Sequence, residues 1–232
     1  TFDQLRKIST ATLTTQLLRR GIRHGFMEGV KPLGPDQGRV VGEAYTLRYL
    51  PLREDLNDPV KAKDPNFPPR ACMEEVPEGG ILVVDARGIT SAAVVGDILI
   101  SRLRARGVAT FVTDGTVRDA DTIRGLGFPV WSAGASAPGY LTAHSPGDRQ
   151  LPIGCGNVAV IPGDILVCDG DGVVVVPRAL ADEIAIDGLE EERFESWVQS
   201  QVEGGRAIPG LYPPNPETQA EYKAWCAANP TT

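Results

Sequence analysis

Apolar positions first recur at helical spacing: Leu5, Ile8, Leu13, Leu17 and Leu18 mark one face across residues 3–24, and Gly21 and Gly25 stop the pattern. An N-terminal helix is therefore predicted. After the turn-rich Lys31-Pro32-Leu33-Gly34-Pro35, the stretch Val40 to Leu50 mixes β-formers with polar neighbours, as a strand does. Residues 51–71 carry Pro51, Pro59, Pro65, Pro68 and Pro69 among many charges, so a long surface insert without a stable element is expected. Strand and helix then alternate. Ile81 to Asp85 reads as a buried strand, and 91–106 as a helix carrying Ile98, Leu99 and Leu103 with Arg102, Arg104 and Arg106, stopped by Gly107. Val108 to Val112 is a second strand, 118–125 a short helix, and Pro129 to Ser132 a third strand. This alternation predicts α/β structure with parallel pairing.

The pattern changes at 150–177. Val158 to Ile161, Ile165 to Cys168 and Val173 to Val176 are short strands separated by Pro162-Gly163 and by Asp169-Gly170-Asp171-Gly172, an antiparallel, hairpin-like arrangement. Helix returns at about 178–203, with Leu180, Ile184, Leu189, Phe194 and Trp197 as expected buried positions. From Gly204 the chain is rich in proline and ends in a short helical stretch around Trp225. The expected organisation is one α/β domain over 1–203 followed by a Pro-rich C-terminal arm over 204–232.

Composition narrows the chemistry. The 26 glycines and 19 prolines among 232 residues favour short elements and tight turns over long helical bundles. Only 2 histidines, His24 and His144, are present, which excludes a three-histidine zinc site within one chain. A net charge of −7 argues against a basic nucleic-acid surface. Cys72, Cys155, Cys168 and Cys226 lack C-x-x-C spacing and read as free thiols in a reducing compartment. No apolar run approaches the ~20 residues of a membrane span, and the N-terminus lacks a signal-peptide pattern. A cytoplasmic protein with neither nucleic acid nor membrane as partner is the expectation.

Two short motifs read as ordinary turns. Gly154-Cys155-Gly156 lacks the third glycine of a dinucleotide loop and leads into a strand. Asp169-Gly170-Asp171-Gly172 lacks the ligand spacing of a calcium loop. His144, in the polar loop His144-Ser145-Pro146-Gly147-Asp148-Arg149, reads as an exposed loop histidine, with substrate contact as the alternative.

The richest constellation pairs carboxylates with an arginine. Asp97 follows Gly96 where the helical pattern becomes regular, and an aspartate there can cap the helix. The amides of Ile98 and Leu99 would then be free for an anion such as a carboxylate. Arg118 and Asp119 lie just past a predicted strand and the Asp114-Gly115 turn, in the region where parallel α/β sheets bind ligands. The arginine suits a carboxylate or enolate, and the aspartates suit Mg²⁺ or Mn²⁺. The alternative is a structural Arg118–Asp97 ion pair with Asp119 capping the next helix. Both readings stand on these residues alone.

Asp97, the twenty residues Ile98 to Val117, and then Arg118-Asp119 reproduce a family signature. So do Arg106-Gly107-Val108, Asp114-Gly115-Thr116-Val117, Pro129-Val130, Val160-Ile161-Pro162-Gly163-Asp164 and Asp169-Gly170-Asp171-Gly172-Val173-Val174. Ser9 to Leu17 and Gly29-Val30-Lys31-Pro32-Leu33 extend the likeness to about residues 5–190. The chain thus resembles the class II pyruvate aldolases of the 4-hydroxy-4-methyl-2-oxoglutarate aldolase type, which share their fold with RraA, the regulator of ribonuclease activity. The resemblance implies a swivelling β/β/α fold and assembly as a homotrimer or homohexamer. It implies a divalent cation, Mg²⁺ or Mn²⁺, held by Asp119 and by waters, one of them supported by Asp97. Arg118 would contact a 2-keto acid and stabilise its enolate, and the amides of Ile98 and Leu99 would hold the pyruvyl carboxylate. Cleavage of 4-hydroxy-2-oxo acids to pyruvate and decarboxylation of oxaloacetate both pass through that enolate. Thr122 stands where the family often has an acid, and the insert at 51–71 and the tail are longer than in compact members. A hydratase or dehydratase acting on a 2-keto sugar acid, or a non-catalytic regulator of a ribonuclease, are the alternative functions.

Overall fold

The computed structural model describes residues 1–55 and 64–230. The predicted N-terminal helix is two helices, α1 (Phe2–Leu5) and α2 (Thr10–Arg19). The break falls at Ser9, whose extended backbone and side chain cap α2 by accepting the Thr12 amide proton. Leu5, Ile8, Leu13 and Leu17 are buried as the periodicity predicts, but Leu18 is exposed because it falls off that face.

After β1 (Lys31–Pro32), β2 (Val40–Pro51) is the long strand that unites the molecule. Its first half, Val40–Glu43, pairs antiparallel with a late strand, and its second half pairs parallel with β3 (Ile81–Asp85). The handover falls between Glu43 and Ala44, and just before it a Cβ on Gly42 would lie 2.7 Å from the Gly79 carbonyl oxygen. Between these strands, α3 (Pro68–Glu75) begins inside the segment expected to lack structure, with proline at its first turn where a missing N–H costs nothing. The part of that insert at 56–63 lies outside the described residues.

The predicted helix over 91–106 divides into β4 (Ala93–Val95) and α4 (Asp97–Ala105). The run Ala92 to Val95 is buried and ends in two β-branched valines, so it is drawn into strand pairing and not into the first helical turn. Next come β5 (Thr110–Thr113), β6 (Thr116–Val117), α5 (Ala120–Gly125) and β7 (Val130–Ser132). The polar stretch expected as a loop is β8 (His144–Arg149), paired with β2, and β9 (Ile153–Cys155) pairs with β10 (Val158–Val160). β11 (Ile165–Cys168) and β12 (Val173–Val176) form the predicted hairpin, and α6 (Ala181–Glu203) and α7 (Pro216–Ala228) close the chain.

The main sheet runs β1-β7-β5-β3-β2-β11-β12, with β8 paired to β2 off this path. Its centre, β7-β5-β3-β2, is parallel, and its late part is antiparallel. This is the α/β class and the swivelling β/β/α layout that the resemblance implies. Both faces of the parallel centre are covered. Leu82, Val84 and Phe111 pack with Met73, Ile100 and Leu103 from the helical side. Ile81, Val83, Val112 and Trp131 of the centre pack with Val160 and Leu166 from the late strands. A third cluster seats α1, α2 and α6 over β11 and β12. In the tail, Leu211 and Tyr222 pack on Trp197 and Val198 of α6.

Candidate active site

β4 and β6 pair parallel, with Ala93 opposite Thr116 and Val95 opposite Val117. The Arg118 amide completes the pairing by donating to the Val95 carbonyl at 2.9 Å. Two chain segments far apart in sequence therefore leave one short ladder side by side: Gly96-Asp97 into α4, and Arg118-Asp119 into α5. This is how the sequence brings its separated aspartates and arginine together.

The backbone at Asp119 is left-handed, with φ 57°. Aspartate is one of the few non-glycine residues that adopt this conformation readily. Asp119 stands at the N-cap position of α5, yet its side chain makes no capping bond. It accepts instead from Arg118 Nε, at 3.2 Å, on Oδ2. The Arg118–Asp97 ion pair with an Asp119 cap is thus not what forms. Arg118 and Asp119 pair with each other, and both Nη groups of Arg118 lack a protein partner among the described residues.

At the start of α4 the cap is Gly96, not Asp97, because Gly96 has extended backbone and Asp97 is already helical. The Asp97 carboxylate turns onto the next residue, and the Ile98 amide donates to its Oδ1 at 2.7 Å. The first intrahelical bond of this helix runs from Ile100 to Gly96. Of the two amides expected to receive an anion, Ile98 is thus engaged by Asp97, and Leu99 has no intrahelical acceptor.

These groups share a cleft of about 500 Å³ lined by Asp97, Ile98, Leu99, Arg118 and Asp119, together with Tyr49, Pro69, Tyr140 and Leu141. The last two stand on a 3₁₀ turn, Tyr140–Thr142, brought in when the Ala93 amide donates to the Pro138 carbonyl at 2.7 Å. Tyr49 is fully buried, and its Oη has no hydrogen-bond partner among the described residues. Burial, with the nearby Tyr140, pushes the Tyr49 phenol well above its ordinary value, so it is a neutral donor. No local pattern in the sequence marks this aromatic wall. Only the pairing of β4 with the 138–139 segment carries Tyr140 and Leu141 there.

The donor set fits one kind of cation. Among the described residues no group of three or more His, Cys, Asp or Glu side chains is placed to hold a metal. Two aspartates in one cleft, each with one oxygen engaged and the other lacking a hydrogen-bond partner among the described residues, suit a hard cation that keeps most of its waters. His144 is not an exposed loop residue. It is fully buried in β8, with its Nδ1 3.1 Å from Arg87 Nη2. Among the described residues, no helix is long and apolar enough to cross a membrane.

The Aldolase/RraA profile, described as RraA-like, matches residues 10–175. A protein of Halalkalibacterium halodurans, provisionally named 4-hydroxy-4-methyl-2-oxoglutarate aldolase, is 31% identical over 155 residues, covering 67% of either chain. Protein DlpA of Legionella pneumophila is 26% identical over 207 residues, which is 89% of this chain but only 32% of DlpA. Among solved structures, Streptomyces coelicolor RraAS2, described as an unusual member of the RNase ES inhibitor RraA family, superposes with a TM-score of 0.80 at 33% identity. That match covers 86% of this chain and 96% of RraAS2.

Proposed function

Because the chain belongs to the Aldolase/RraA family, whose profile spans residues 10–175, we propose that it is a divalent-metal-dependent carbon–carbon lyase that releases pyruvate from 4-hydroxy-2-oxo acids. Decarboxylation of oxaloacetate through the same enolate belongs to this reading, as does assembly as a homotrimer or homohexamer. The observation that carries it is the β4/β6 ladder, which delivers Asp97, Arg118 and Asp119 to one cleft beside a helix start.

Each residue has a task in the reaction. Arg118 presents its two Nη groups as a planar fork to the 2-oxo acid, where negative charge grows on the keto oxygen. The Leu99 amide and the dipole at the start of α4 hold the carboxylate. As the C3–C4 bond breaks, its electron pair passes into the pyruvate enolate. The proton of the 4-hydroxyl leaves through water to the open Asp97 oxygen, and C3 is then protonated to give pyruvate and a carbonyl product. A Mg²⁺ or Mn²⁺ ion at Asp119, with Asp97 supporting one of its waters, would add Lewis-acid stabilisation of the same developing charge.

The test is a panel of 4-hydroxy-2-oxo acids and oxaloacetate with Mg²⁺ or Mn²⁺, coupled to pyruvate detection. Metal-dependent pyruvate release, lost in Asp119→Ala and nearly lost in Arg118→Ala, supports the lyase. Loss or gain of water from a 2-keto sugar acid without bond cleavage would favour the hydratase or dehydratase. Capture of a ribonuclease by a chain inactive on every substrate would favour the regulator.

A further inference from the structure

Resting on the lyase reading for the reaction it serves, we infer that Arg87 is a positioning residue for the cleft, acting through His144 and the Tyr140–Thr142 turn. Arg87 does not itself line the cleft. It stands in the loop between β3 and β4, on a left-handed backbone with φ 59°. Arginine gains nothing locally from that conformation, so tertiary contacts must hold it. Two carboxylates supply them. Asp85 Oδ1 accepts from the Arg87 amide at 2.8 Å. Asp114, buried just past β5, accepts from the amides on either side, Ala86 at 2.7 Å and Gly88 at 2.9 Å. The same loop lies against Gly115, where an added side chain would run into Ala86 Cβ. Residues 86–88 therefore join the chain segments that lead into β4 and β6, the ladder that delivers Asp97, Arg118 and Asp119.

From this loop the side chain reaches the aromatic part of the site. Arg87 Nη2 donates to the Ala143 carbonyl at 3.0 Å and to His144 Nδ1 at 3.1 Å. A guanidinium only donates, so Nδ1 is the accepting nitrogen and the neutral ring carries its proton on Nε2. Ala143 closes the turn that carries Tyr140 and Leu141 into the cleft, its amide donating to the Tyr140 carbonyl at 3.0 Å. The His144 ring packs 5.3 Å from that of Tyr49, which packs 5.6 Å from Tyr140. His144 also meets the Ala92 backbone, one residue before β4. One side chain thus ties the root of β4 to the tyrosines of the cleft. Arg87 forms no salt bridge among the described residues, and its Nε is buried without a hydrogen-bond partner among them. A half-buried cation on strained backbone costs stability. The geometry it imposes on the cleft accounts for its place there.

Two substitutions separate positioning from folding. Arg87→Met keeps the aliphatic stem and removes the donors. Arg87→Lys keeps a charge and a donor nitrogen, and because one nitrogen of Arg87 serves both acceptors, an ammonium can meet both. Measured well below the melting temperature, kcat/KM for pyruvate release should fall about 10–100-fold in Arg87→Met and recover most of that loss in Arg87→Lys. Nuclear magnetic resonance of the substrate-free protein reads the geometry without turnover. The ring signals of His144 and Tyr140 should move in Arg87→Met and return in Arg87→Lys, and His144 is simple to assign because His24 is the only other histidine. Full activity in Arg87→Met, a loss that Arg87→Lys does not recover, or an unmoved Tyr140 ring overturns the inference. The lyase reading is judged apart, by whether the parent protein releases pyruvate at all. A parent without turnover whose Tyr140 ring still moves in Arg87→Met and returns in Arg87→Lys would sink the lyase and leave the positioning standing.

Discussion

A Cβ at Gly96 would lie 2.9 Å from Asp119 Oδ2 and 3.1 Å from Arg118 Cγ. The backbone of Gly96 is ordinary extended chain, so it is close approach and not conformational freedom that calls for glycine here. Because the obstructed atoms belong to the ends of flexible side chains, Gly96→Ala should fold. Arg118 and Asp119 would have to shift, and displacement of about an ångström costs about 10²-fold in rate. The expected outcome is a Tm within a few degrees of the parent and kcat/KM for pyruvate release lowered by about 10–100-fold. An alanine variant of full activity would show that the Arg118–Asp119 geometry is not critical.

Asp119 offers a cleaner separation of charge from fold. Its left-handed backbone is tolerated by asparagine as well as by aspartate. Asp119→Asn therefore keeps shape and conformation while removing the negative charge that pairs with Arg118. A loss of activity on the order of 10²–10³-fold with an unchanged melting curve is expected. Excess chelator should bring the parent protein to a similar level, with recovery on adding Mg²⁺ or Mn²⁺. Chelator-resistant turnover would remove the cation from the mechanism.

The central strands and late hairpin were legible because Ile81 to Asp85, Ile165 to Cys168 and Val173 to Val176 are apolar runs closed by turn residues. The convergence of Asp97 with Arg118-Asp119 was legible from spacing and resemblance, though the partners within it were not. Which oxygen meets which amide depends on a cap shifted by one residue, from Asp97 to Gly96. β4 was hidden inside a helix-like pattern because three residues carry too little periodicity to declare a strand. β8 was hidden because its sequence is polar, and only its pairing with β2 makes it a strand. The aromatic wall had no local signal, since Tyr49 and Tyr140 meet at 5.6 Å across elements far apart in sequence.

The tail offers a test of how α7 is held. Tyr222 lies edge-on to Phe194 at 5.1 Å and near Trp197 at 5.4 Å, and its hydroxyl donates to Glu190 at 2.9 Å. Leu211 joins this cluster, while the inner part of α6 is fixed independently through Ile184 and Ala185. Truncating a large buried aromatic to alanine costs about 3–5 kcal/mol, enough to undock a single helix. Tyr222→Ala should accelerate proteolytic cleavage between Gly204 and Asn229 and leave the fragment up to α6 intact, as read by limited proteolysis and mass spectrometry. Unchanged cleavage would show that other contacts suffice.

His144 should impose an acid-side loss of stability. It is fully buried, its ring packs at 5.3 Å from that of Tyr49, and its Nδ1 faces Arg87 Nη2 at 3.1 Å. Burial, and then the positive charge of Arg87, push its pKa below the ordinary 6.5, while a backbone contact with Ala92 works in the opposite direction. The folded chain therefore keeps a neutral imidazole where the unfolded chain has begun to bind a proton. As the pH falls below 6.5, the unfolded state takes up more protons and stability decreases, until the lowered folded value is reached and the effect levels off. Above 6.5 this group contributes no slope. His144→Asn keeps a polar group toward Arg87 but cannot titrate. It should lower stability at neutral pH through lost packing, yet flatten the dependence of Tm on pH between 6.5 and 5. An unchanged slope in the variant would assign the acid sensitivity to the carboxylates instead.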